Sequence, residues 1–150
     1  MEELHQVLKQ FVEIYSRQSM RHFIGYIKEH GLSMSQMAAM QMLHRHGECG
    51  VSNIADYLEI TPAASSQLLN KLVDEGWIER QEDKLDRRVK KIALTPKGER
   101  IVQESIQARH YWFDPLIASL SPEEKALTLD ALSMLIDKAA VLKELERIPE

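Results

Sequence analysis

The sequence has few of the features that mark secreted, membrane or linker-rich proteins. Its one cysteine, Cys49, excludes a disulfide within the chain and fits a reducing compartment such as the cytoplasm. Only 6 Gly and 5 Pro are present, which leaves little material for long linkers. No apolar run approaches the ~18 residues of a membrane span, and the opening residues MEELHQVLKQ lack the apolar core of a secretory signal. We therefore expect a cytoplasmic protein of one domain or two closely packed subdomains, with no membrane partner.

Motifs of catalysis and metal binding are also missing. The sequence has no Gly-rich phosphate loop, no nucleophile motif and no metal-with-base signature, so we expect no enzymatic activity and no cofactor. His44 and His46 lie close together, but no Cys/His ligand run accompanies them, and we expect no metal site. A zinc site that also used His22, His30 or His110 is the alternative.

Cys49 raises the question of redox sensing. It stands between Glu48 and Gly50, neither of which is a cation that would lower the pKa of the thiol. We expect an ordinary cysteine in a turn, and an oxidant-sensing thiol is the alternative.

The formal net charge of -4 at first argues against a nucleic-acid partner, but the charges are unevenly distributed. Residues 84–91 hold one acid, Asp86, and five basic residues, namely Lys84, Arg87, Arg88, Lys90 and Lys91. Acidic residues are frequent towards the C-terminus, at Glu123, Glu124, Asp130, Asp137, Glu144, Glu146 and Glu150. Positive charge is therefore concentrated in one short segment, away in sequence from the acidic end.

Apolar spacing and capping signals predict a mainly helical chain. A stripe at three- and four-residue steps predicts a long helix over Glu2–Glu29, with Leu4, Val7, Leu8, Phe11, Ile14, Tyr15, Phe23, Tyr26 and Ile27 on one side. At ~1.5 Å per residue this helix is about 40 Å long, too long to bury its whole stripe in so small a subunit. Ser33 and Gln36 form a capping-box pattern that opens a second helix, ending near His46, and Ser52 caps a third.

The stretch 51–98 predicts a second pair of helices and two strands. Glu59–Thr61 forms a tight turn, Thr61 caps the next helix, and Pro62 suits its first position. Gly76 ends that helix. The two predicted strands are Trp77–Arg80 and Val89–Leu94, with the basic residues in the loop between them. This order is a helix-turn-helix followed by a β-hairpin wing, an arrangement that reads duplex DNA.

The fourth helix has two different faces. Ser65, Leu68, Leu69 and Leu72 face inward, whereas Ala63, Ser66, Gln67, Asn70 and Asp74 lie on the opposite face, with Lys71 at its edge. The N-terminal half of the outer face is uncharged, small and rich in hydrogen-bonding groups. Such a face suits close approach to base edges and phosphates.

Three further signals follow the hairpin. Thr95 and Pro96 repeat the cap-and-proline signal and predict a fifth helix that runs to about Trp112. Asp114–Pro115 marks a break or kink, and the capping box Ser121–Glu124 opens the last helix. Its wide apolar face consists of Leu127, Leu132, Leu135, Ile136, Ala139, Leu142 and Leu145.

Residues 86–98, DRRVKKIALTPKG, form a D-x-R motif followed by L-T-x-x-G. They resemble the wing of the MarR (multiple antibiotic resistance regulator) family of transcription factors. The segment 54–80 and the order of the helices are also similar to that family, so the resemblance covers nearly the whole chain. It implies a two-fold dimer built by the terminal helices, with one winged helix presented to each DNA half-site.

The resemblance also implies roles for wing residues. Asp86 would brace the wing, Arg88 would reach the minor groove, where arginine gains from the enhanced negative potential, and Arg87 would lie near the DNA backbone. Two positions depart from the family pattern. Gln67 stands where arginine is frequent, and Ser65 occupies an inward position that is usually branched and apolar.

We therefore predict a mainly α fold with a small β-hairpin wing (α+β), in which 33–110 form the DNA-binding lobe and 1–32 and 111–150 the dimerisation helices. The predicted DNA contacts are Thr61, Ala63, Ser66, Gln67, Asn70, Lys71, Lys84, Arg87, Arg88 and Lys90. The expected function is a ligand-responsive repressor that binds a pseudo-palindromic duplex as a homodimer. A metal- or oxidant-sensing regulator of the same fold, or a winged helix used for protein contacts, is the alternative.

An effector is expected at the junction of the two regions, where the resemblance places small-molecule pockets. The candidate lining residues are Tyr15, Met37, Met40, Tyr111 and Trp112. Their character favours an aromatic or lipophilic small molecule, and methionine side chains adapt readily to different shapes.

Overall fold

The computed structural model describes residues 1–82 and 90–145, with the backbone alone at 82, 90 and 143–145. The helices are α1 (Glu2–Glu29), α2 (Met34–His46), α3 (Val51–Tyr57), α4 (Pro62–Asp74), α5 (Pro96–Ala108), α6 (Phe113–Ala118) and α7 (Pro122–Leu145), and the strands are β1 (Cys49–Gly50), β2 (Ile78–Glu82) and β3 (Lys90–Leu94). The mainly helical prediction is confirmed. The chain divides into two compact units, Met1–Tyr111 and Trp112–Glu150.

The three strands form one antiparallel sheet in the order β1-β3-β2. Ile78 pairs with Leu94 and Glu82 with Lys90, so β2 and β3 are the hairpin that the sequence predicts. Cys49–Gly50 was predicted to be a turn, and that prediction is wrong. Cys49 pairs with Ile92, so Cys49 and Gly50 form a third strand at the edge of the sheet. The sequence did not predict this strand because two residues are too few to show the alternation that identifies a strand.

The core of the first unit is formed where α1, α2, α3, α4, α5 and the sheet meet. Its fully buried large side chains are Phe23, Met37, Met40, Ile54, Leu69, Leu72, Ile78, Ile92 and Val102. They come from α1 to α5 and from strands β2 and β3, so apolar burial holds α4 against the rest of this unit.

Side-chain caps set most helix starts as the sequence predicts. Ser33 and Gln36 form a reciprocal capping box, and the hydroxyls of Thr61 and Thr95 accept from the N–H groups of Ala64 and Gly98. The start of α3 differs from its prediction. Ser52 was predicted to be the N-cap, but helix α3 begins at Val51 and its N-cap is Gly50. The Asn53 side-chain carbonyl accepts a hydrogen bond from the Gly50 N–H at 3.0 Å.

The predicted end of α5 near Trp112 is also wrong. Helix α5 ends at Ala108, and the N–H groups of Arg109 and His110 bond three residues back, to Ile106 and Gln107, which tightens the last turn. Pro115 lies in the first turn of α6, where its missing N–H costs nothing, so the break comes before Asp114–Pro115.

Helix α1 has the predicted bounds, but its two halves have different surroundings. The N-terminal half exposes Leu4, Val7, Phe11 and Val12, whereas Ser19, Phe23, Tyr26 and Ile27 are buried. Ser19 Oγ donates to the Arg109 carbonyl at 3.0 Å, and the Arg109 guanidinium lies 3.9 Å from the Phe23 ring centroid. The second half of α1 is therefore part of the winged-helix core, and the first unit includes all of residues 1–32.

The second unit consists of α6 and α7. Ser121 and Glu124 form the predicted capping box, with Ser121 N to Glu124 Oε2 at 2.8 Å and Glu124 N to Ser121 Oγ at 3.2 Å. Helix α7 exposes a long series of apolar side chains, namely Leu127, Leu129, Leu132, Met134, Leu135, Ile136, Val141 and Leu142. Among the described helices, none combines the length and apolarity that crossing a bilayer requires.

Candidate nucleic-acid interface

Helices α3 and α4 form a helix-turn-helix through an unusual turn. Glu59 has a positive φ of 53°, and the Ile60 N–H donates to the Ala55 carbonyl at 3.0 Å, as in a Schellman C-cap. This left-handed position usually carries glycine, as at Gly76 after α4. Thr61 then caps α4, so one helix ends and the next begins within a few residues.

The outward face of α4 is confirmed as exposed. Ala63, Ser66, Gln67, Asn70, Lys71 and Asp74 are all open to solvent, whereas Ser65, Leu69 and Leu72 are 0% exposed. Burial of one face therefore holds the helix to the core and leaves the other free to approach a ligand. We call the residues Ala63, Ser66, Gln67 and Asn70 the reading face.

A polar groove runs along one side of α4. It is formed by the N-terminal end of α2 and by α4, with Ser33, Gln36 and Lys71 shared between its two halves. Asp74 and Glu75 line its far end. The acids lie at the C-terminal end of α4, so an approaching phosphate is attracted towards Lys71 and the N-terminal half.

Strand β2 contributes a cation that the sequence analysis did not single out. Arg80 Nη2 donates to Asn70 Oδ1 at 2.5 Å, and both side chains are exposed. Arg80 is two residues after Ile78, which is 1% exposed, so both side chains lie on the face of the strand that meets α4. The signal in the sequence is this spacing after a buried strand residue.

The start of α5 is fastened to the end of α4. Thr95 Oγ1 donates to the Gly76 carbonyl at 2.7 Å and Lys97 Nζ to the Glu75 carbonyl at 2.7 Å. A Cβ at Gly98 would lie 1.9 Å from the Trp77 carbonyl oxygen, so the two backbones are in direct contact. The L-T-x-x-G motif therefore has a structural role, which is to lock the wing strand and α5 against α4.

The wing loop itself lies outside the described residues. This applies to Lys84, Asp86, Arg87 and Arg88, and to the side chain of Lys90, whose backbone belongs to β3. Lys91 is described, and its Nζ bonds Glu48 Oε1 at 2.8 Å. One of the five predicted cations of this segment thus has a carboxylate partner, so its charge is partly offset.

The predicted effector residues occupy different surroundings. Met37 and Met40 are 0% exposed and belong to the packed core, so they are structural residues in this conformation. Tyr15 is half-buried, Tyr111 is 55% exposed, and Trp112 begins the second unit. An effector contact at Tyr15, Met37, Met40, Tyr111 and Trp112 stays a prediction.

Two of the residues considered for metal or oxidant sensing, Cys49 and His44, have structural surroundings that explain them. Burial raises the pKa of the Cys49 thiol, which makes the reactive thiolate scarcer at neutral pH. His44 Nδ1 lies 2.7 Å from Glu99 Oε1, where it links α2 to α5. Within 1–82 and 90–145, no three His, Cys, Asp or Glu side chains gather as a metal site would require.

Sequence comparisons give the same picture. The sequence profile of the MarR family matches residues 32–90. The HTH-type transcriptional regulator YwhA of Bacillus subtilis is 31% identical over 96 residues, which are 64% of this chain and 69% of YwhA. The HTH-type transcriptional repressor MdtR of the same organism is 28% identical over 98 residues, 65% of this chain and 63% of MdtR.

Solved structures share the fold over most of the chain. The transcriptional regulator Tm0710 from Thermotoga maritima superposes with a TM-score of 0.76 at 18% identity, over 99% of this chain and 100% of that one. A mutant of Staphylococcus aureus MepR, solved with a bound oligodeoxyribonucleotide, has a TM-score of 0.70 at 22% identity, over 88% and 97% of the two chains. With a capped helix-turn-helix, a hairpin wing and a relative as similar as YwhA, the chain belongs to the MarR family of winged-helix, DNA-binding transcription regulators.

Proposed function

We propose that the protein is a repressor that binds a pseudo-palindromic duplex as a homodimer in the cytoplasm. The observation that carries this proposal is the reading face, four exposed, uncharged residues on a helix whose other face buries Ser65, Leu69 and Leu72 completely. A helix held in this way has the width and rigidity to enter a major groove. The similarity to the repressor MdtR supports repression as the outcome.

Within the interface, sequence choice and affinity come from different residues. Ser66, Gln67 and Asn70 are proposed to contact base edges, with Ala63 allowing close approach. Thr61 and Lys71 are proposed to bind phosphates on either side of the groove, together with Lys84, Arg87 and Lys90 of the wing segment. Arg88, in the D-x-R motif, is proposed to enter the minor groove, with Asp86 bracing the wing.

Dimerisation is proposed to use the exposed apolar faces at the two ends of the chain. An apolar groove between α6 and α7 is lined by Ile117, Leu120, Leu129 and Leu132, and α7 exposes further apolar residues beside it. Apolar surface of this extent is unusual for a monomer and typical of a protein interface. Two-fold symmetry would place two copies of α4 in successive major grooves, about 34 Å apart.

We further propose regulation by an aromatic or lipophilic small molecule. Such an effector would favour the conformation of the dimer in which the two copies of α4 do not match the spacing of the grooves. Tyr15, Tyr111 and Trp112 are the residues to test for its contact. Changing each to alanine should reduce the effect of the molecule on DNA affinity and leave affinity in its absence unchanged.

The DNA-binding proposal is tested by Arg88→Ala, with Arg100→Ala on the exposed side of α5 as the charge-matched control. Gel-shift titration on genomic fragments should show specific affinity lowered about tenfold or more for Arg88→Ala and little changed for Arg100→Ala, with the dimer intact in both. Equal affinity for wild type and Arg88→Ala would remove the wing from the mechanism. A winged helix used only for protein contacts would bind no fragment selectively.

A further inference from the structure

The contact between Arg80 and Asn70 settles the orientation of an amide on the reading face. An amide oxygen and nitrogen are hard to tell apart by shape, but a guanidinium is only a donor. The atom of Asn70 that faces Arg80 Nη2 at 2.5 Å must therefore be the acceptor, Oδ1. The amide nitrogen, with its two N–H groups, is left for another partner.

This orientation changes what Asn70 can recognise. A free asparagine pairs with adenine through both ends of the amide, accepting from the N6 amino group and donating to N7. At Asn70 one lone pair of Oδ1 is already used, and the positive charge of Arg80 beside it repels the amino hydrogens of adenine and cytosine. Donation from Nδ2 is unaffected, and the guanidinium retains N–H groups of its own.

Strand β2 holds Arg80 in this position. Arg80 pairs with Ile92 of β3 in the sheet, and Ile78 on the same face is buried in the core. The guanidinium therefore reaches the reading face from a rigid support rather than from a loop, as specific recognition requires.

We propose that Arg80 and Asn70 act as one unit of donors that selects an acceptor-rich base edge, guanine N7 and O6, at one position of each half-site. Arg80 is a specificity-determining residue that acts by orienting Asn70 and by adding its own donors. The assignment rests on the proposed entry of α4 into the major groove, and it concerns base choice rather than affinity in general.

The test is selection of bound duplexes from a randomised pool by the full-length protein. It is followed by anisotropy titrations in which each half-site position is replaced by every other base pair. The proteins are wild type, Arg80→Ala, Asn70→Ala and the double variant. Lys71→Ala is the control, because loss of a phosphate contact weakens binding to all sequences alike. Arg80→Gln, which keeps a neutral hydrogen-bond donor, is a second substitution at position 80. Thermal unfolding shows whether each variant is folded.

Wild type should prefer guanine over adenine at one position by roughly 5- to 30-fold. Asn70→Ala should abolish that preference. Arg80→Ala should abolish it or shift it towards adenine, because the freed amide can then pair at both ends. The two changes should be non-additive, since they affect one unit.

Other outcomes overturn the assignment. A guanine preference that survives in Arg80→Ala, or a uniform loss of affinity that matches Lys71→Ala, would show that Arg80 only binds phosphate. Additive effects in the double variant would show that the two residues act separately. If wild type selects no sequence at all, the proposed function fails and this assignment fails with it. Selective binding with unchanged base preference in the variants overturns the assignment alone.

Discussion

Ser65 is a polar residue at a buried position that suits an apolar side chain. It is 0% exposed on the inward face of α4, and among the described residues its hydroxyl has no hydrogen-bond partner. The sequence already marked the position as one where the family usually has a branched apolar side chain. The hydroxyl loses its hydration on folding without an intramolecular bond to replace it.

We predict that Ser65→Ala stabilises the protein by about 1 kcal/mol, because it removes that desolvation cost and changes the volume little. Chemical denaturation followed by circular dichroism measures it. Ser105→Ala is the matched control, since Ser105 is also 0% exposed but donates to the Val102 carbonyl at 2.7 Å. A loss of stability at Ser65 equal to the loss at Ser105 would mean that Ser65 has a partner after all.

The role of a single residue could be predicted from the sequence where its residue type has one dominant structural role at that position. Thr61 and Thr95 were identified as caps because a hydroxyl before proline at a helix start has few other roles. Prediction failed where the role is a tertiary contact. The spacing of Arg80 after Ile78 shows which face of the strand it occupies but not its bond to Asn70. The L-T-x-x-G motif does not reveal that Gly98 contacts the Trp77 carbonyl.

At the scale of elements, the N-terminal turn of α4 connects stability to DNA binding. Thr61 Oγ1 accepts from the Ala64 N–H at 3.2 Å, and the same turn begins the reading face. A frayed first turn would misplace Ala63 and Ser66. The cap is therefore expected to matter for both folding and recognition.

We predict that Thr61→Ala lowers the free energy of unfolding by about 1 kcal/mol and weakens specific DNA binding, because the first turn of α4 loses its cap. Thr61→Ser should retain both properties, since serine caps equally well. Gln107→Ala, at an exposed position inside α5, should have little effect on either. Thermal unfolding and anisotropy titration provide the two measurements. Equal stability of Thr61→Ala and Thr61→Ser would show that the cap contributes nothing.

The elements themselves were largely predictable, and the errors have physical causes. Long amphipathic helices such as α1 have many residues that agree on one face, so their bounds were correct. Strand β1 was missed because two residues contain no period. The end of α5 was placed too late because the tight turns at Arg109 and His110, closed by bonds to Ile106 and Gln107, contain no glycine or proline to mark them.

At the scale of the whole molecule, α7 exposes an apolar surface for which a single chain offers no structural reason. Leu129 and Ile136 are both 67% exposed and lie seven residues apart, on the same side of the helix. The sequence predicted terminal dimerisation helices, and the exposed apolar face of α7 and of the first half of α1 supports that hypothesis. The second half of α1 belongs instead to the core.

We predict that Leu129→Glu with Ile136→Glu converts the protein from a dimer to a monomer of 17.3 kDa, because two charges would be buried at the interface. Sedimentation equilibrium measures the mass. Lys138→Glu, also on α7, introduces a carboxylate where a charge already stands, and it should remain dimeric. A dimer that survives the double change would place the interface elsewhere. The monomer should also lose specific affinity, since each copy contacts only one half-site.

The central claim is that this fold reads a duplex DNA sequence. The most direct measurement is an anisotropy titration of the full-length protein on its selected duplex and on a scrambled duplex of equal length, at two salt concentrations. We predict at least about 10³-fold tighter binding to the selected duplex. The affinity for both duplexes should fall steeply as salt rises, because phosphate contacts release counterions. Binding that stays weak and equal for the two duplexes even at low salt would contradict the claim.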